Sequence, residues 1–246
     1  MDVIEPEWPA PGRVHAVFTL RVGGVSAAPY DSFNVGAHVG DAPPAVGDNR
    51  RHLRESLRLP DEPVWLEQVH GTDVVELESP AGRPRADAAV THSTGRVCVI
   101  QVADCMPVLF AAQDGSAVGA AHAGWRGLAG GVLEATVRAL RVPPRELLAW
   151  LGPAISQEHF EVGDDVRAAF MVSDSGATGA FVPNTRGRWQ CDLYALARRR
   201  LAALGVDNVF GGGWCTYADP ARFFSFRRDG RCGRMAALIW LGAPRA

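Results

Sequence analysis

Cys105 and His122 stand seventeen residues apart, in the segments Ala103-Asp-Cys-Met-Pro107 and Ala121-His-Ala-Gly-Trp-Arg-Gly127. The chain between them has two apolar runs, 108–112 and 117–121, joined by Gln113-Asp-Gly-Ser116. Asp-Gly between apolar runs is a strong hairpin signal. If Asp114 and Gly115 are the central turn residues, paired positions sum to 229 and His122 faces position 107. A register one pair tighter sets Cys105 opposite His122. Either way a thiol and an imidazole share the open end of one hairpin, since cross-strand neighbours lie about 4.5–5.5 Å apart.

Two chemistries use such a pair. In one, Cys105 is a nucleophile, His122 its base and Asp104 a candidate orienter. In the other, both are metal ligands and a third comes from elsewhere. One thiolate with imidazoles suits zinc or copper better than magnesium. His70, in Gln68-Val-His-Gly71, is expected at the tip of a strand pair, where a ligand can project. His38 lies in a Gly-rich loop and could line a pocket. His15 reads as a packed strand residue, His52 as solvated on a helix, and His92 and His159 as loop residues without a partner signal. Arg21, Arg126 and Arg227 sit inside Gly-rich or aromatic turns, where guanidinium forks suit phosphate or carboxylate.

Composition removes other mechanisms. All 25 basic residues are arginine, so lysine Schiff bases, P-loop lysines and kinase-type phosphate lysines are excluded. The net charge of −2 gives no field for nucleic acid. No apolar run approaches the ~20 residues of a membrane span. The acidic, Pro-rich residues 1–11 lack the layout of a signal peptide, and the cytoplasm is the expected compartment. Five cysteines without a CxxC pair give neither a disulfide framework nor a four-cysteine zinc site.

The elements that must position these residues alternate along a single expected domain, 1–246. Strands are predicted over 14–20, 64–69, 74–77, 97–102, 108–112, 117–121, 148–151, 209–216 and 235–240. Helices are predicted over 46–57, 128–141, 162–171 and 192–204, the last capped by Asp192 and ended by Gly205. Many strands with few long helices give an α+β protein with mixed sheets.

The sequence resembles the YfiH family along nearly its whole length. The resemblance is carried by Arg21-Val-Gly-Gly-Val-Ser26, Asn34-Val-Gly36, His38-Val-Gly-Asp41, Asn49-Arg50, Gln68-Val-His-Gly71 and Ala86-Asp-Ala88. It continues through Ala103-Asp-Cys-Met-Pro107, His122-Ala-Gly-Trp-Arg-Gly127, Gly152-Pro-Ala-Ile-Ser156, Cys215-Thr216 and Phe224-Ser-Phe-Arg-Arg-Asp-Gly230 with Gly233-Arg234. Leu20 departs from the motif, which more often has a small polar residue before Arg21. The resemblance implies a single-domain layered α/β/β/α sandwich. It also implies a His70, Cys105, His122 metal triad that doubles as the catalytic centre, with zinc as the ion and copper as the alternative. Candidate substrate-binding residues are Arg21, Asn34, Gln68, Asp104, Arg126 and Arg227.

The function implied is a purine nucleoside phosphorylase with adenosine deaminase activity. Its substrates would be small molecules, a nucleoside and phosphate, handled by a monomer without nucleic-acid or membrane partners. The family's other labels are a peptidoglycan-editing amidase and a copper polyphenol oxidase. A multicopper oxidase needs a blue-copper site and a trinuclear cluster, a demand that seven histidines with no His-x-His pair cannot meet. Phosphate would be held beside the metal by Arg126 and Arg21, helped by the start of the helix at 128–141.

Overall fold

The computed structural model describes residues 1–78 and 82–243. In chain order these form β1 (Val3–Ile4), β2 (Val14–Thr19), α1 (Pro43–Leu57), β3 (Val74–Glu76), β4 (Ala88–Thr91), β5 (Val97–Val102), β6 (Met106–Ala112), β7 (Val118–Ala123), α2 (Trp125–Gly130), α3 (Val132–Leu140), β8 (Leu147–Leu151), β9 (Glu161–Val162), α4 (Asp164–Met171), β10 (Phe181–Pro183), β11 (Trp189–Cys191), α5 (Leu193–Leu204), β12 (Asn208–Gly211), α6 (Phe226–Asp229) and β13 (Met235–Leu241).

Two sheets pack face to face. One has six strands in the order β12-β8-β6-β7-β4-β3 and mixes parallel with antiparallel pairs; the other has four in the order β1-β2-β13-β5, all antiparallel. Alternate residues of each strand fill the space between them: Phe18, Ile100 and Ile239 from one side, Leu109, Ala111, Val118 and Ala120 from the other. The opposite face of the six-stranded sheet, with Val108, Phe110 and Ala121, packs on Leu133, Val137 and Leu140 of α3 and Leu196 and Leu201 of α5. The outer face of the four-stranded sheet, with Val17, Val99 and Leu238, is covered by Leu53 of α1. Helix, sheet, sheet and helix follow one another, as the resemblance implied. Central strands buried on both faces explain the unbroken apolar runs of β6 and β13, and that of β5 up to Gln101, since a sheet covered on each side has no polar face to alternate with.

The β6–β7 hairpin takes the looser of the two possible registers. Pro107 pairs with His122 and Met106 with Ala123, so Cys105 lies just beyond the last pair, level with Gly124. Gly115 supplies the positive φ of the turn, at 72°.

Four expected elements differ. Residues 64–69 form no strand; they make only single bridges, Val64 to Cys98 and Glu67 to Arg85. The helix expected over 128–141 starts earlier, at Trp125, and is divided at Gly131, whose φ of 102° ends α2 and starts α3. The helix expected over 162–171 begins only at Asp164, because Glu161 and Val162 pair with β11. The strand expected over 209–216 stops at Gly211, where Gly211 and Gly212 both take positive φ. Among the described residues no helix is long and apolar enough to cross a membrane.

Phe18 is fully buried between the two sheets. Phe18→Ala is expected to cost about 3–5 kcal/mol. That should lower the midpoint of thermal unfolding, followed by circular dichroism, by roughly 6–20 °C in a chain of this size. An unchanged midpoint would contradict this packing of the sheets.

Candidate metal centre

His70, Cys105 and His122 converge. One ligand atom from each lies within 4.8 Å of the others, and this is the one such group among the described residues. Sγ of Cys105 is 3.8 Å from Nε2 of His70, and the two imidazole rings meet edge to face at 4.7 Å. Metal bonds of about 2.0–2.3 Å put two ligand atoms on one ion within about 4 Å of each other, so the set needs to close slightly. His70 is exposed while His122 is buried, so the centre opens to solvent on the His70 side.

Local backbone geometry explains how such distant residues meet. Cys105 follows Asp104, whose φ of 90° turns the chain sharply from β5 into β6. His70 also has a positive φ, 61°. Such conformations cost on the order of 1–3 kcal/mol and persist only where other contacts impose them. At His70 those contacts come from Asp87. Its Oδ1 accepts from the His70 amide at 2.9 Å, and its Oδ2 from the amides of Val69 at 3.1 Å and Gly71 at 2.7 Å. The same Oδ1 lies 2.8 Å from Nδ1 of His122. An ionised carboxylate only accepts, so Nδ1 carries the proton and Nε2 is left for the centre. Asp87 thus does what was expected of Asp104. The cue in the sequence is an acid inside the otherwise apolar stretch Ala86-Asp-Ala-Ala-Val90.

Electrostatics favour a charged pair. Burial alone would push the Cys105 thiol up, but the neighbouring His122 and His70 imidazoles outweigh it and hold the thiol down at about 6. Burial would likewise suppress the His122 imidazolium, yet the Cys105 thiolate and the Asp87 hydrogen bond raise it to about 9. Burial acts to raise the Asp87 carboxyl as well, and its hydrogen bonds to His122 and to the Gly71 and Val69 amides hold it below the ordinary carboxylate range.

The donor set fits a soft divalent ion: one thiolate, two imidazoles and a carboxylate behind one of them. Gly124 shows the same tightness. A Cβ there would stand 2.9 Å from Sγ of Cys105 and 3.0 Å from Cδ2 of His70.

Two pocket lobes open on either side of the triad, of about 230 Å³ and 210 Å³. Jointly they reach the range of small-molecule sites, about 300–1,000 Å³. The first is the more polar of the two, with His38, Gln68, Gln101 and Arg234. Burial, and then Arg234, push the His38 imidazole down to about 4, so it is neutral near pH 7. The second is largely apolar, with Trp125, Ile155, Phe160 and Leu193, edged by Arg126 and Arg227. Phe226 borders both.

The remaining candidates divide. Gln68 lines the polar lobe, although its amide is engaged with the backbone of Gln101 in both directions at 2.8 Å. Arg126 is exposed, lies over the Trp125 ring at 4.3 Å and donates to no oxygen among the described residues. Arg227 lies over Phe160 at 4.9 Å and donates from one guanidinium nitrogen to the Glu161 carbonyl. Asp104 lines the apolar lobe, but both its oxygens are taken, by Thr216 Oγ1 at 2.6 Å and the Arg227 amide at 2.7 Å. Arg21 and Asn34 lie outside both lobes. Arg21 donates to the Asp31 and Pro220 carbonyls and stacks on Phe224. Asn34, fully buried, binds Gly36, Asp41 and the Arg234 amide. The expected support for phosphate from a long helix also fails, because α2 ends after six residues.

Fold and site together define a layered sandwich protein with one thiolate–imidazole centre, able to hold a metal ion, between a polar and an aromatic lobe. Residues 15–242 match the family described as multi-copper polyphenol oxidoreductase laccase. The chain is 56% identical over 97% of its length to a purine nucleoside phosphorylase of Pseudomonas aeruginosa, covering 98% of that protein. It is 52% identical, with the same coverage of both chains, to purine nucleoside phosphorylase YfiH of Escherichia coli. The crystal structure of Neisseria meningitidis protein NMB0706 superposes with a TM-score of 0.95 at 49% identity, over 99% of this chain and 100% of the other. The chain belongs to the YfiH family.

Two outcomes test this geometry. Gly124→Ala should leave the secondary structure intact and weaken the binding of an added divalent metal ion at least tenfold, since the new methyl occupies the space between two ligands; unchanged affinity by titration would refute the packing. Asp87→Ala should cost the metal-free protein about 3–5 kcal/mol by leaving buried donors unpaired. The carboxyl's contribution is present above its ordinary value near 4 and is lost as pH falls through its lowered folded value. The imidazole's share, which Asp87 supplies together with the Cys105 thiolate, is complete below its ordinary value of 6.5 and is lost as pH rises through about 9. The stability gap between parent and variant, measured by urea unfolding, is therefore expected to be widest between about pH 4 and 6.5. A gap independent of pH would refute the charged pair.

Proposed function

We propose that the chain is a purine nucleoside phosphorylase that depends on zinc, with adenosine deamination as a second activity at the same centre. The observation that carries this reading is the position of the triad at the junction of an aromatic lobe edged by arginine and a polar lobe. The names borne by relatives 52–56% identical support it. We further infer that residues 1–246 act as one domain and as a monomer. Five free cysteines among the described residues accord with the reducing cytoplasm.

His70, Cys105 and His122 would hold the ion and serve as the catalytic centre. When bound, zinc supplies a Lewis acid able to polarise an oxygen or lower the pKa of water. The chain's own residues provide the rest. The wall of Trp125, Ile155, Phe160 and Phe226 suits the flat apolar faces of a purine. Gln101, whose buried Oε1 has no partner among the described residues, and neutral His38 offer partners for sugar hydroxyls, with Gln68 holding the Gln101 backbone in place. Arg126, whose guanidinium donates to no oxygen among the described residues, and Arg227 grip phosphate as forks. In phosphorolysis a phosphate oxygen bonds to the sugar C1′ as the bond to the base breaks, and the base departs with the electron pair and takes up a proton. Holding phosphate and nucleoside together in a closed site converts a bimolecular encounter into a local one. Asp87 keeps His122 in the tautomer and orientation the centre needs.

One centre of three ligands, rather than the several a multicopper oxidase needs, is what the described residues hold. The oxidase name of the matching family is therefore not adopted for the activity.

The test is metal analysis with a product screen on inosine and adenosine, with and without phosphate. Ribose 1-phosphate formed only when phosphate is present, at one zinc per chain, is the expected result. Base release that ignores phosphate would overturn phosphorolysis, and absence of ammonia from adenosine would overturn deamination. Arg126→Ala should raise the KM for phosphate about 10- to 100-fold, the loss of one charge-assisted contact worth about 1.5–3 kcal/mol, and leave the KM for inosine nearly unchanged.

A further inference from the structure

A second group of nucleophilic side chains lies behind the apolar lobe. Cys215 Sγ accepts from Ser156 Oγ at 3.0 Å and lies 3.5 Å from Nδ1 of His159. Ser156 Oγ is itself 3.3 Å from that nitrogen. The amides of Ser156 and Ala218 also point at the sulfur, each at 3.4 Å. The His159 ring is held by stacking on Tyr217 at 4.5 Å. A thiol, a base within reach and a third group that fixes the base are the parts of an activated nucleophile.

Accessibility singles out the same residue. Cys98, Cys191 and Cys232 are buried, and Cys105 belongs to the triad. Cys215, His159 and Ser156 are all partly exposed. None lines either lobe, so the reaction proposed above does not use them.

We propose that Cys215, with His159 and Ser156, is a modification site that reacts with small hydroperoxides and is then capped by a low-molecular-weight thiol. His159 Nδ1 takes the thiol proton, and the sulfur attacks one peroxide oxygen. The S–O bond forms as the O–O bond breaks, and the departing oxygen leaves with the proton from His159. Sulfur gives up two electrons and the peroxide gains them. The sulfenic acid then condenses with the second thiol: an S–S bond forms, the S–O bond breaks and water leaves with the incoming thiol's proton.

The modification reaches the centre through bonds. An adduct displaces the amides of Ser156 and Ala218 and so disturbs the loop 215–218. Thr216 Oγ1 donates to Asp104, the residue before Cys105. Arg228 of α6 donates to the carbonyls of Thr216 at 2.9 Å and Tyr217 at 3.0 Å. Helix α6 carries Phe226 and Arg227 into the pocket. Capping Cys215 therefore loosens α6 and the wall it forms.

The test exposes the zinc-loaded full chain to hydrogen peroxide and then glutathione, and maps adducts by peptide mass. The expected result is one glutathione per chain, on Cys215, with the amide of Arg227 exchanging faster in the adduct. His159→Gln should slow the reaction about 100-fold, as loss of a general base does. Ser156→Ala, checked for folding by circular dichroism, is a second variant expected to slow it. The same mapping on Cys105→Ser removes the competing thiol. Adducts on Cys105 ahead of Cys215, no adduct at all, or equal rates in parent and both variants would overturn the proposal. An adduct without faster exchange at Arg227 would overturn its coupling to α6.

Discussion

Asp87 is a fully buried carboxylate at the start of an inner strand, with four donors around it. Three are consecutive backbone amides, which bend the chain at His70 into a conformation it would not hold alone. The fourth is the His122 ring on the neighbouring strand. An ionised carboxylate taken out of water is costly unless every lone pair is used, and here they are. One side chain therefore fixes the arm carrying one ligand, the tautomer of a second and the distance between them. The Asp87 carbonyl adds a further tie by accepting from the His122 amide at 2.7 Å.

Asp104 plays the same part on the other side of the centre. Its carboxylate holds Thr216 and the first turn of α6, and its carbonyl accepts from the Ile155 amide at 3.0 Å. Segments remote in sequence are thus gathered around the turn that presents Cys105. Between these two acids the thiol and imidazoles have little freedom, and the sheets behind them are closely packed on both faces. Preorganisation here comes from backbone amides bonded to buried carboxylates, while Phe226, Arg126 and Arg227 at the rim of the pocket remain exposed.

Much of this was legible in the sequence, and for a physical reason. The hairpin is local: apolar runs and an Asp-Gly turn set its geometry, and the spacing of Cys105 and His122 follows. The α/β/β/α layering was reached through the family motifs, whereas alternation and composition alone gave only a mixed α+β class. What failed depended on long-range partners. Residues 64–69 have strand-like composition but find only single bridges. Gly131 interrupts a periodic helical pattern because a left-handed residue there lets α2 and α3 take different directions. Beyond being an acid among apolar residues, Asp87 carries no site signal of its own in the sequence, because a buried acid takes its role only from the donors that fold around it. Arg21 and Asn34 sit in glycine-rich turns that suggested ligand binding; those turns use them to satisfy their own carbonyls and amides.

The hairpin also orders the assembly of the centre in time. Only the short loop Gln113–Ser116 separates the strands that bring Cys105 toward His122, so closing it costs little chain entropy. The arm bearing His70 must wait for β4 to dock beside β7 and deliver Asp87, a contact between segments far apart in the chain. By loop closure alone the hairpin is the less costly half of the centre to assemble, and the docking of β4 is what completes it: His70 and His122 share an anchor only once Asp87 lies between them.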